Sequence, residues 1–499
     1  MNINMKVFIV IFLVIPLFAS LSSFIIKNKR FAEYVSLFSS SLDLVGALII
    51  LYFSITLKTV SIFNSAIVID KFSSYIILLV SIVYFLSSMY GISYMRLAIK
   101  DEQITDGEFF RYYLFLNLFA LTMLVAPMIN NMAIYLIDIE LTTITSAFLV
   151  IAEVTEKSIE AAWKYIVIVS AGISLALLGT ILFYLSGNIP GSGSIATSMD
   201  WTNLSLNAVY LNKDIVRFAF VLIVIGLGTK VGLAPMHTWL PDAHSEAPSP
   251  ISSMLSASLL NTAMYGIMRY FNITGKNLGF NFPKTVMIII GLFSLFIGVM
   301  GIINQKTTKR LFAYSSIEHM SIISLGFGLG GIFGTFGALL QMLGHSLTKP
   351  VMFFGSGNFL HKYKTKDIKK IKGAFYVMPK TAFLFSAGVL ALIGAPPSII
   401  FIGEFLIILQ SLKSGYYWMT VLLISLLIAA FVSLLSKTGS IVFGKADENF
   451  NAERGDFSPF SYVPMLLPLA ASLILGFYIP SGLHNLLVGI VHIINFKIK

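Results

Sequence analysis

The sequence contains no cysteine and few charged residues. Among its 499 residues there is no Cys, and Asp, Glu, Lys and Arg together account for 11%. The absence of thiols excludes disulfides, thiolate zinc sites and cysteine-held iron–sulfur clusters on this chain. Soluble domains carry about 25% charged residues, so the low charge also excludes an ordinary water-soluble surface. We therefore expect no cofactor and no metal on this chain.

Apolar residues make up 57% of the chain and occur in long runs. A run of about 20 apolar residues spans the hydrocarbon core of a bilayer as a helix. The pattern predicts an all-α polytopic membrane protein with about fourteen transmembrane helices, one for each run. Numbered in chain order, the runs lie at 5–26, 32–56, 71–95, 110–128, 131–152, 162–186, 216–238, 249–271, 285–304, 310–328, 330–357, 380–412, 416–436 and 462–492.

Lysine and arginine are distributed unevenly between the loops. The net charge is +11, but the basic residues occupy short loops between apolar runs, which indicates membrane topology rather than nucleic-acid binding. The loops after odd-numbered runs hold 21 of the 34 Lys and Arg, whereas the other side, with both termini, holds 11. Because cytoplasmic loops are enriched in basic residues, we expect a multi-pass protein of a prokaryotic-type inner membrane with both termini on the outer side.

Glycine and proline interrupt runs 7 and 12. In run 7 Gly232 and Pro235 follow a lysine, and in run 12 residues 394–398 read Gly-Ala-Pro-Pro-Ser. Proline removes a backbone donor and clashes with the preceding turn, so both runs are predicted to form discontinuous helices. Two breaks five helices apart suit an internal repeat of the transporter type. Two independent proline kinks would leave the same pattern.

Five ionisable residues lie well inside apolar runs. Such a side chain near the bilayer centre costs about 2.5–3.5 kcal/mol on insertion scales. Any one of them alone could pair with a neighbour and merely hold two helices in register. Five together, with both signs of charge and a histidine, have the composition of a proton relay. The five are Glu140, Lys230, His345, Lys349 and Glu404.

The residue types suit proton transfer. Burial disfavours the charged form of a lysine, and a nearby carboxylate stabilises that form. If Glu140 and Lys230 pair, the lysine holds its proton, and if the pair opens, the lysine becomes a proton donor. His345 and Lys349 are four residues apart and share a helical face, where a proton could pass directly or through one water. Glu404, beyond the break in run 12, could serve as the exit acid.

Four motifs resemble one known family: Lys230–Pro250, Lys309–Met320, His345–Lys349 and Gly394–Glu404. The first reads Lys-Val-Gly-Leu-Ala-Pro-Met-His-Thr-Trp-Leu-Pro-Asp-Ala-His-Ser-Glu-Ala-Pro-Ser-Pro. At these motifs the chain resembles the antiporter-like subunits of respiratory complex I. That family includes Mrp sodium/proton antiporter subunits and the membrane arms of nickel-iron hydrogenases, and the chain looks most like the hydrogenase or formate hydrogenlyase branch. The likeness extends over residues 70–440 or so.

The resemblance implies an architecture and a site. It implies fourteen helices, two inverted repeats over helices 4–8 and 9–13, discontinuous helices 7 and 12, a carboxylate–lysine pair matching Glu140 and Lys230, and a hydrated axis of charges along the membrane plane. On this scheme the chain divides into helices 1–3 at 1–109, the first repeat at 110–272, the second repeat at 280–440 and helix 14 at 455–499.

Run 8 departs from the pattern of the family. Where close relatives carry a buried lysine the chain has Asn261, which cannot titrate, and where others have a histidine it has Ser256. Either water held by Ser256, Ser258 and Asn261 carries the relay across this helix, or the path skips to His319. We assign accessory relay roles to Lys164, His237, Ser256, Asn261 and His319.

The resulting hypothesis is a proton- or sodium-translocating subunit of a complex I-like redox-driven complex, of the energy-converting hydrogenase kind. Its expected partners are other membrane subunits, a peripheral redox arm that holds iron–sulfur or nickel-iron centres, the lipid bilayer and the transported H⁺ or Na⁺, with no nucleic acid. Two alternatives stay open. One is a gradient-driven Mrp-type sodium/proton antiporter subunit, and the other is a scaffold subunit whose charges only pair helices.

Overall fold

Helices form nearly all of the chain in a computed structural model that describes residues 2–57, 59–187, 199–445 and 454–494. The described residues also include a two-stranded sheet, which is a short antiparallel hairpin in which Val60 pairs with Ile69. The elements of the first half are α1 (Asn2–Ile26), α2 (Lys29–Leu57), β1 (Val60–Ile62), β2 (Ile67–Ile69), α3 (Lys71–Lys100), α4 (Asp106–Val125), α5 (Met132–Val150), α6 (Glu156–Ser186), α7 (Trp201–Leu206), α8 (Lys213–Val231) and α9 (Trp239–Glu246).

The second half repeats the pattern of long helices with short connections. Its elements are α10 (Ser249–Met254), α11 (Leu260–Leu278), α12 (Asn281–Asn304), α13 (Thr308–Leu329), α14 (Gly331–Tyr363), α15 (Ala374–Val377), α16 (Pro379–Leu392), α17 (Ile399–Lys413), α18 (Tyr417–Phe443), α19 (Pro459–Phe477) and α20 (Ser481–Ile494).

The all-α membrane architecture is confirmed. Within the described residues, nine helices are long and apolar enough to cross a bilayer by length and composition. The count of fourteen spans stays a prediction, as does the division into two inverted repeats. Run 14 was expected to be one helix, and this was wrong, because residues 478–480 separate α19 from α20. Pro480 is the last residue of this interruption, and proline cannot continue the hydrogen-bond ladder of a helix.

Both predicted helix interruptions are present. Helix α8 ends where Gly232 adopts a left-handed conformation at φ +81°, which only glycine takes without strain, and α9 begins seven residues later. The second break separates α16 from α17. There Gly394 has φ +70°, and the Ser398 side chain caps α17 by accepting the amide of Phe401 at 3.2 Å.

Run 8 contains an irregular segment that its composition did not indicate. Residues Leu255–Leu259 form a π-helical turn between α10 and α11. A π turn widens the helix and frees backbone carbonyls from the regular ladder, and such turns occur frequently at functional sites. Ser256 lies in this turn, and Asn261 lies two residues after its end, in the first turn of α11. Run 8 therefore presents Ser256 on distorted backbone and Asn261 on the regular helix that follows.

The loops that follow odd-numbered apolar runs lie on one face of the bundle, which is called here the lysine-rich face. Lys29 and Asp106 form an ion pair at 2.5 Å that joins the α1–α2 and α3–α4 loops. Lys366, from the α14–α15 loop, pairs with Glu246 at 3.0 Å next to the α9–α10 connection. The amide of Thr308 donates to the carbonyl of Lys366 at 3.1 Å. These contacts support the alternation of loops on which the predicted topology depends.

Helix α14 occupies the centre of the molecule. Its side chains are buried almost without interruption from Gly334 to Phe359, against α3, α13, α16, α17 and α19. A helix that is buried all round can place polar groups only toward neighbouring helices. Gln341, His345 and Lys349, at intervals of four residues, form one such polar row. The most enclosed helix of the fold therefore contains a row of polar side chains, two of which are titratable.

Candidate functional site

Lys230 lies at the last turn of α8, immediately before the first helix break. Its side chain is fully buried. The ammonium Nζ donates to Thr143 Oγ1 at 2.7 Å and to the hydroxyl of Tyr165 at 2.8 Å, and it lies 5.0 Å from the Tyr165 ring centre. Trp239, the first residue of α9, packs against Tyr165 with ring centres 4.6 Å apart. Both halves of the broken helix therefore contribute to the lysine site.

Glu140 and Lys230 are connected through a hydroxyl group. Thr143 Oγ1, which accepts from Lys230, lies 3.5 Å from Glu140 Oε2, and Ser170 donates to Glu140 Oε1 at 2.5 Å. In the described part of the chain Lys230 forms no ion pair within 4.0 Å. The carboxylate–lysine pair implied by the resemblance is thus present as a bridge through Thr143 and not as a direct contact. Glu140 is partly exposed on the outer surface of α5.

His345 packs against the π turn of run 8. Its Nε2 lies 3.3 Å from Ser256 Oγ and 3.2 Å from the Ser256 carbonyl oxygen. Ser256 Oγ also lies 2.7 Å from Ser316 Oγ on α13. Asn261 donates to Ser346 Oγ at 2.9 Å and ties α11 to α14. The structure therefore places Ser256 next to His345 of the α14 row and Asn261 next to Ser346 of the same helix, and a relay across this helix stays a prediction.

Lys349 binds α13 rather than His345. Its Nζ donates to Ser315 Oγ at 2.9 Å and to the carbonyl of Phe312 at 3.2 Å. Glu318, one turn from Ser315 on the same helix, interacts electrostatically with Lys349 and hydrogen-bonds Ser315. A hydroxyl again stands between a lysine and a carboxylate. The two lysines thus have the same kind of surroundings in separate parts of the fold.

A further chain of polar side chains leads to Glu404. The rings of His345 and His319 lie 5.5 Å apart. His319 Nδ1 lies 3.0 Å from Gln341 Nε2, which donates to Glu404 Oε1 at 3.4 Å. The Glu404 carboxylate lies against Gly394 of the second helix break, where any side chain would collide with it. The break in run 12 and its acid therefore form one site.

Lys164 and His237 lie away from these chains. Lys164 is on the surface near the lysine-rich face, where it pairs with Glu160 at 2.6 Å and with Asp242 at 3.5 Å. The His237 ring lies 6.5 Å from that of Tyr314, inside the first helix break. The structure brings eight of the ten predicted residues into two polar clusters and leaves these two at the periphery.

Several uncharged side chains of the clusters were missed by the sequence analysis. Thr143, Tyr165, Ser170, Ser315 and Gln341 carry no charge, so hydropathy does not mark them as unusual in an apolar run. Sequence spacing could have identified two of them. Thr143 lies three residues after Glu140 and Ser315 lies three residues before Glu318, which places each pair on one helical face.

Among the described residues, buried polar atoms without a hydrogen-bond partner lie in and next to the cluster around α14. Burying such an atom without a hydrogen bond costs several kcal/mol in an apolar medium, and buried water commonly satisfies it. This part of the protein therefore needs water between its side chains. Among the described residues, these atoms include both ring nitrogens of His244, Ser253 Oγ, Ser258 Oγ, Asn261 Oδ1, His319 Nε2, Gln341 Oε1 and His345 Nδ1.

Residues 129–433, more than half of the chain, match the family described as "NADH:quinone oxidoreductase/Mrp antiporter, TM". The chain belongs to that family. It is similar to the hydrogenase-4 component F homolog of Methylacidiphilum infernorum (isolate V4), with 34% identity over 457 residues that cover 91% of this chain and 93% of the relative.

Two solved structures share the fold. A chain of the membrane-bound sulfane sulfur reductase, an archaeal respiratory membrane complex, aligns with a TM-score of 0.85 at 22% identity, covering 97% of each chain. A chain of the Mrp complex from Dietzia sp. DQ12-45-1b aligns with a TM-score of 0.84 at 17% identity, covering 96% of each. The protein is a membrane-embedded, antiporter-like member of this family.

Proposed function

We propose that this subunit translocates protons across the membrane as part of a redox-driven complex of the energy-converting hydrogenase kind. One observation carries the proposal: the hydroxyl of Thr143 links buried Lys230 to Glu140, and at a separate site the amide of Gln341 links buried His319, next to His345, to Glu404. Proton transfer requires such groups within hydrogen-bond reach or one water apart.

The first half of the path is a charge-controlled switch. Lys230 holds its proton while the Glu140 charge lies near, and Thr143 transmits that attraction through its hydroxyl. Movement of negative charge away from the lysine destabilises its ammonium form, because burial removes the solvation of a charge. Glu140 is the coupling acid, since its partly exposed position lets a neighbouring subunit act on it.

The second half receives and releases the proton. Water near Ser256 and the π turn carries it to His345, which forms the central relay with Lys349, and His319 is an accessory group next to His345. Gln341 then connects His319 to Glu404, the outlet acid. Asn261 fixes the geometry of the crossing by holding α14, and Lys164 and His237 assist at the periphery. Histidine suits the middle of this path because it can both accept and donate a proton near neutral pH.

The redox chemistry belongs to partner subunits on this proposal. Iron–sulfur or nickel-iron centres would lie in a peripheral arm, and this chain would hold no cofactor of its own. Similarity to a hydrogenase-4 component F homolog supports the hydrogenase assignment. The surplus of Lys and Arg in the odd loops supports a cytoplasmic lysine-rich face, with both termini on the outer side of a prokaryotic inner membrane.

The test is to isolate the intact complex from membranes, identify its partners and reconstitute it in liposomes. The expected result is redox-driven acidification that a protonophore abolishes and a sodium ionophore does not. Sodium-for-proton exchange without any redox partner would instead establish the Mrp-type alternative. If Glu140→Gln and Lys230→Ala impair assembly while the protons moved per electron stay unchanged, the chain is a scaffold.

A further inference from the structure

Helix α2 carries a buried polar face outside the path described above. Glu33, Ser36, Ser40 and Asp43 recur at intervals of three or four residues, which places them on one side of the helix. All four are buried. Asp43 is the middle residue of the 29-residue α2, so it lies at mid-membrane, roughly 20 Å along the helix from Lys29.

Hydrogen bonds extend this face across α3 and α4. Asn117 donates to Ser36 Oγ at 2.9 Å and accepts from the hydroxyl of Tyr84. The Tyr84 hydroxyl also lies 3.4 Å from Ser39 Oγ, and Ser39 is one turn from Asp43 on α2. A continuous set of hydroxyl and amide groups therefore leads from Ser36 to the turn of helix that holds Asp43.

The other end of this set opens at the lysine-rich face. Glu33, one turn before Ser36, accepts from Arg96 Nε at 2.8 Å. Both residues line a surface cavity of about 500 Å³ together with Lys29 and Arg30. A cavity of this size holds many waters, because one water occupies about 30 Å³ of liquid. Solvent therefore reaches the start of the polar face.

Hydrogen bonds among the described residues do not explain why the carboxyl group of Asp43 is buried. Its side chain is fully buried, and among the described residues neither carboxylate oxygen has a hydrogen-bond partner. A residue that served to hold helices together would bond across the interface, as Asn117 does. An ionised carboxylate without a partner is strongly disfavoured in hydrocarbon, so the group must be neutral or must bind a cation.

Among the described residues, the elements packed against α2 bring no basic side chain to Asp43. Between residues 7 and 26 α1 has no charge, α3 presents Tyr84, and α4 presents Tyr113 near Asn117. Arg96 is engaged by Glu33, three turns away. A metal cation would need several oxygen ligands converging on it, and within the described part of the chain Asp43 contacts no such set. A proton requires only the carboxyl group itself.

We propose that Asp43 is a second proton-binding site of this protein, reached from the lysine-rich face along the Glu33, Ser36, Asn117 and Tyr84 side chains. It lies in α2, with α3 and α4 supplying the path, whereas the Glu140 to Glu404 path uses α5 to α17. The proton comes from water in the cavity beside Arg96 and binds one Asp43 oxygen. This inference does not depend on the pumping proposal.

Infrared difference spectroscopy of the full chain in lipid bilayers tests the site. The protonated carboxyl of Asp43 should give a carbonyl band that Asp43→Asn removes and Asp43→Glu shifts. In D₂O the band should shift by exchange, and Tyr84→Phe should slow that exchange several-fold because it breaks the hydroxyl chain. Tyr113→Phe is the matched control and should leave the exchange rate unchanged.

Three results would overturn the proposal. The first is a carboxyl spectrum that Asp43→Asn and Asp43→Glu both leave unaltered, and the second is an exchange rate that Tyr84→Phe does not affect. The third is a band that appears only when Na⁺ is withdrawn, which would make Asp43 a sodium ligand. Asp138→Asn, on another buried carboxyl of α5, should leave the Asp43 band in place. Loss of pumping in Lys230 variants would leave all these spectra unchanged.

Discussion

The Lys230 and Lys349 sites are built alike but differ in what surrounds the acid. Each buried ammonium donates to a helix hydroxyl, Thr143 in the first and Ser315 in the second, and a carboxylate lies one turn from that hydroxyl. In the first site the acid, Glu140, is partly exposed on the surface of α5. In the second the acid, Glu318, is buried and lies 3.6 Å from His319.

The difference in exposure of the two carboxylates suits the same chemical arrangement to two different tasks. A carboxylate at the lateral surface can respond to charges in a neighbouring subunit, because those charges can come close to it and the Coulomb energy grows as the separation falls. A carboxylate enclosed with histidines responds only to protons and charges within the same chain. The Lys230 site is therefore suited to coupling, and the Lys349 site to internal transfer.

Replacement of Lys230 should give the largest effect. We expect Lys230→Met to lower redox-driven proton uptake by roughly tenfold or more, since the loss of a positioned proton donor commonly costs that much. Lys230→Arg should have a similar effect, because arginine keeps its proton under all conditions met in proteins. Proton uptake by reconstituted complex provides the measurement.

A matched lysine outside both sites provides the control for this comparison. Lys437 donates to the carbonyls of Ile302, Ile303 and Gln305, where it caps the end of α12. Lys437→Arg preserves the charge and should leave proton uptake unchanged. Normal uptake in Lys230→Arg would show that only the charge matters, and would contradict the proposed switch.

Removal of the bridging hydroxyls should distinguish the two sites. Thr143→Val should slow proton uptake by roughly tenfold, about 1.4 kcal/mol, because it removes the connection between Glu140 and Lys230. Ser315→Ala should have a smaller effect, since Lys349 keeps the Phe312 carbonyl as a partner. Thr145→Val, whose hydroxyl bonds only its own helix, is the control on α5. Equal losses in all three variants would contradict this distinction.

Asn261 should matter for stability more than for transport. Asn261→Leu removes the bond to Ser346 between α11 and α14, and interhelical bonds in membranes average about 0.6 kcal/mol. We expect a small decrease in thermal stability of the purified chain and proton uptake within roughly twofold of the unaltered protein. Asn304→Leu, which affects only a bond within α12, should leave stability unchanged. A complete loss of uptake in Asn261→Leu would give Asn261 a place in the path itself.

The smallest expected effect lies at the lysine-rich face, outside both sites. Partial burial favours the neutral form of Asp101, but hydrogen bonds from Lys364 and His361 outweigh it and hold the pKa of Asp101 below its ordinary value. A lowered pKa contributes stability above the ordinary carboxyl pKa of about 4 that is lost as the pH falls through the folded-state pKa.

Asp101→Asn should therefore destabilise the protein by about 0.5 kcal/mol or less near neutral pH, and this difference should vanish in acid. Thermal melts of both proteins across pH provide the measurement. Glu102→Gln alters the exposed neighbour and should have no effect at any pH. A destabilisation by Asp101→Asn that persists unchanged in acid would show that the side chain acts by packing and not by charge.

Much of the architecture was predictable because membrane insertion has simple physical requirements. Apolar length marks spanning helices, and the Gly232 and Gly394 breaks were recognisable because glycine and proline act through local backbone geometry. The five ionisable residues inside apolar runs were visible as exceptions to an apolar background. Asp43 has the same signal and was overlooked, although it is the sole charge in run 2 after its first turn.

The sequence by itself determined the membrane class, the two helix breaks and the identity of the titratable groups, because each depends on composition or local backbone preference. Only the tertiary structure decided which groups meet. Thr143 stands between Glu140 and Lys230, and Gln341 between His319 and Glu404, because helices remote in the chain pack together. Such distances follow from side-chain packing across helix interfaces, which no local pattern of residues encodes.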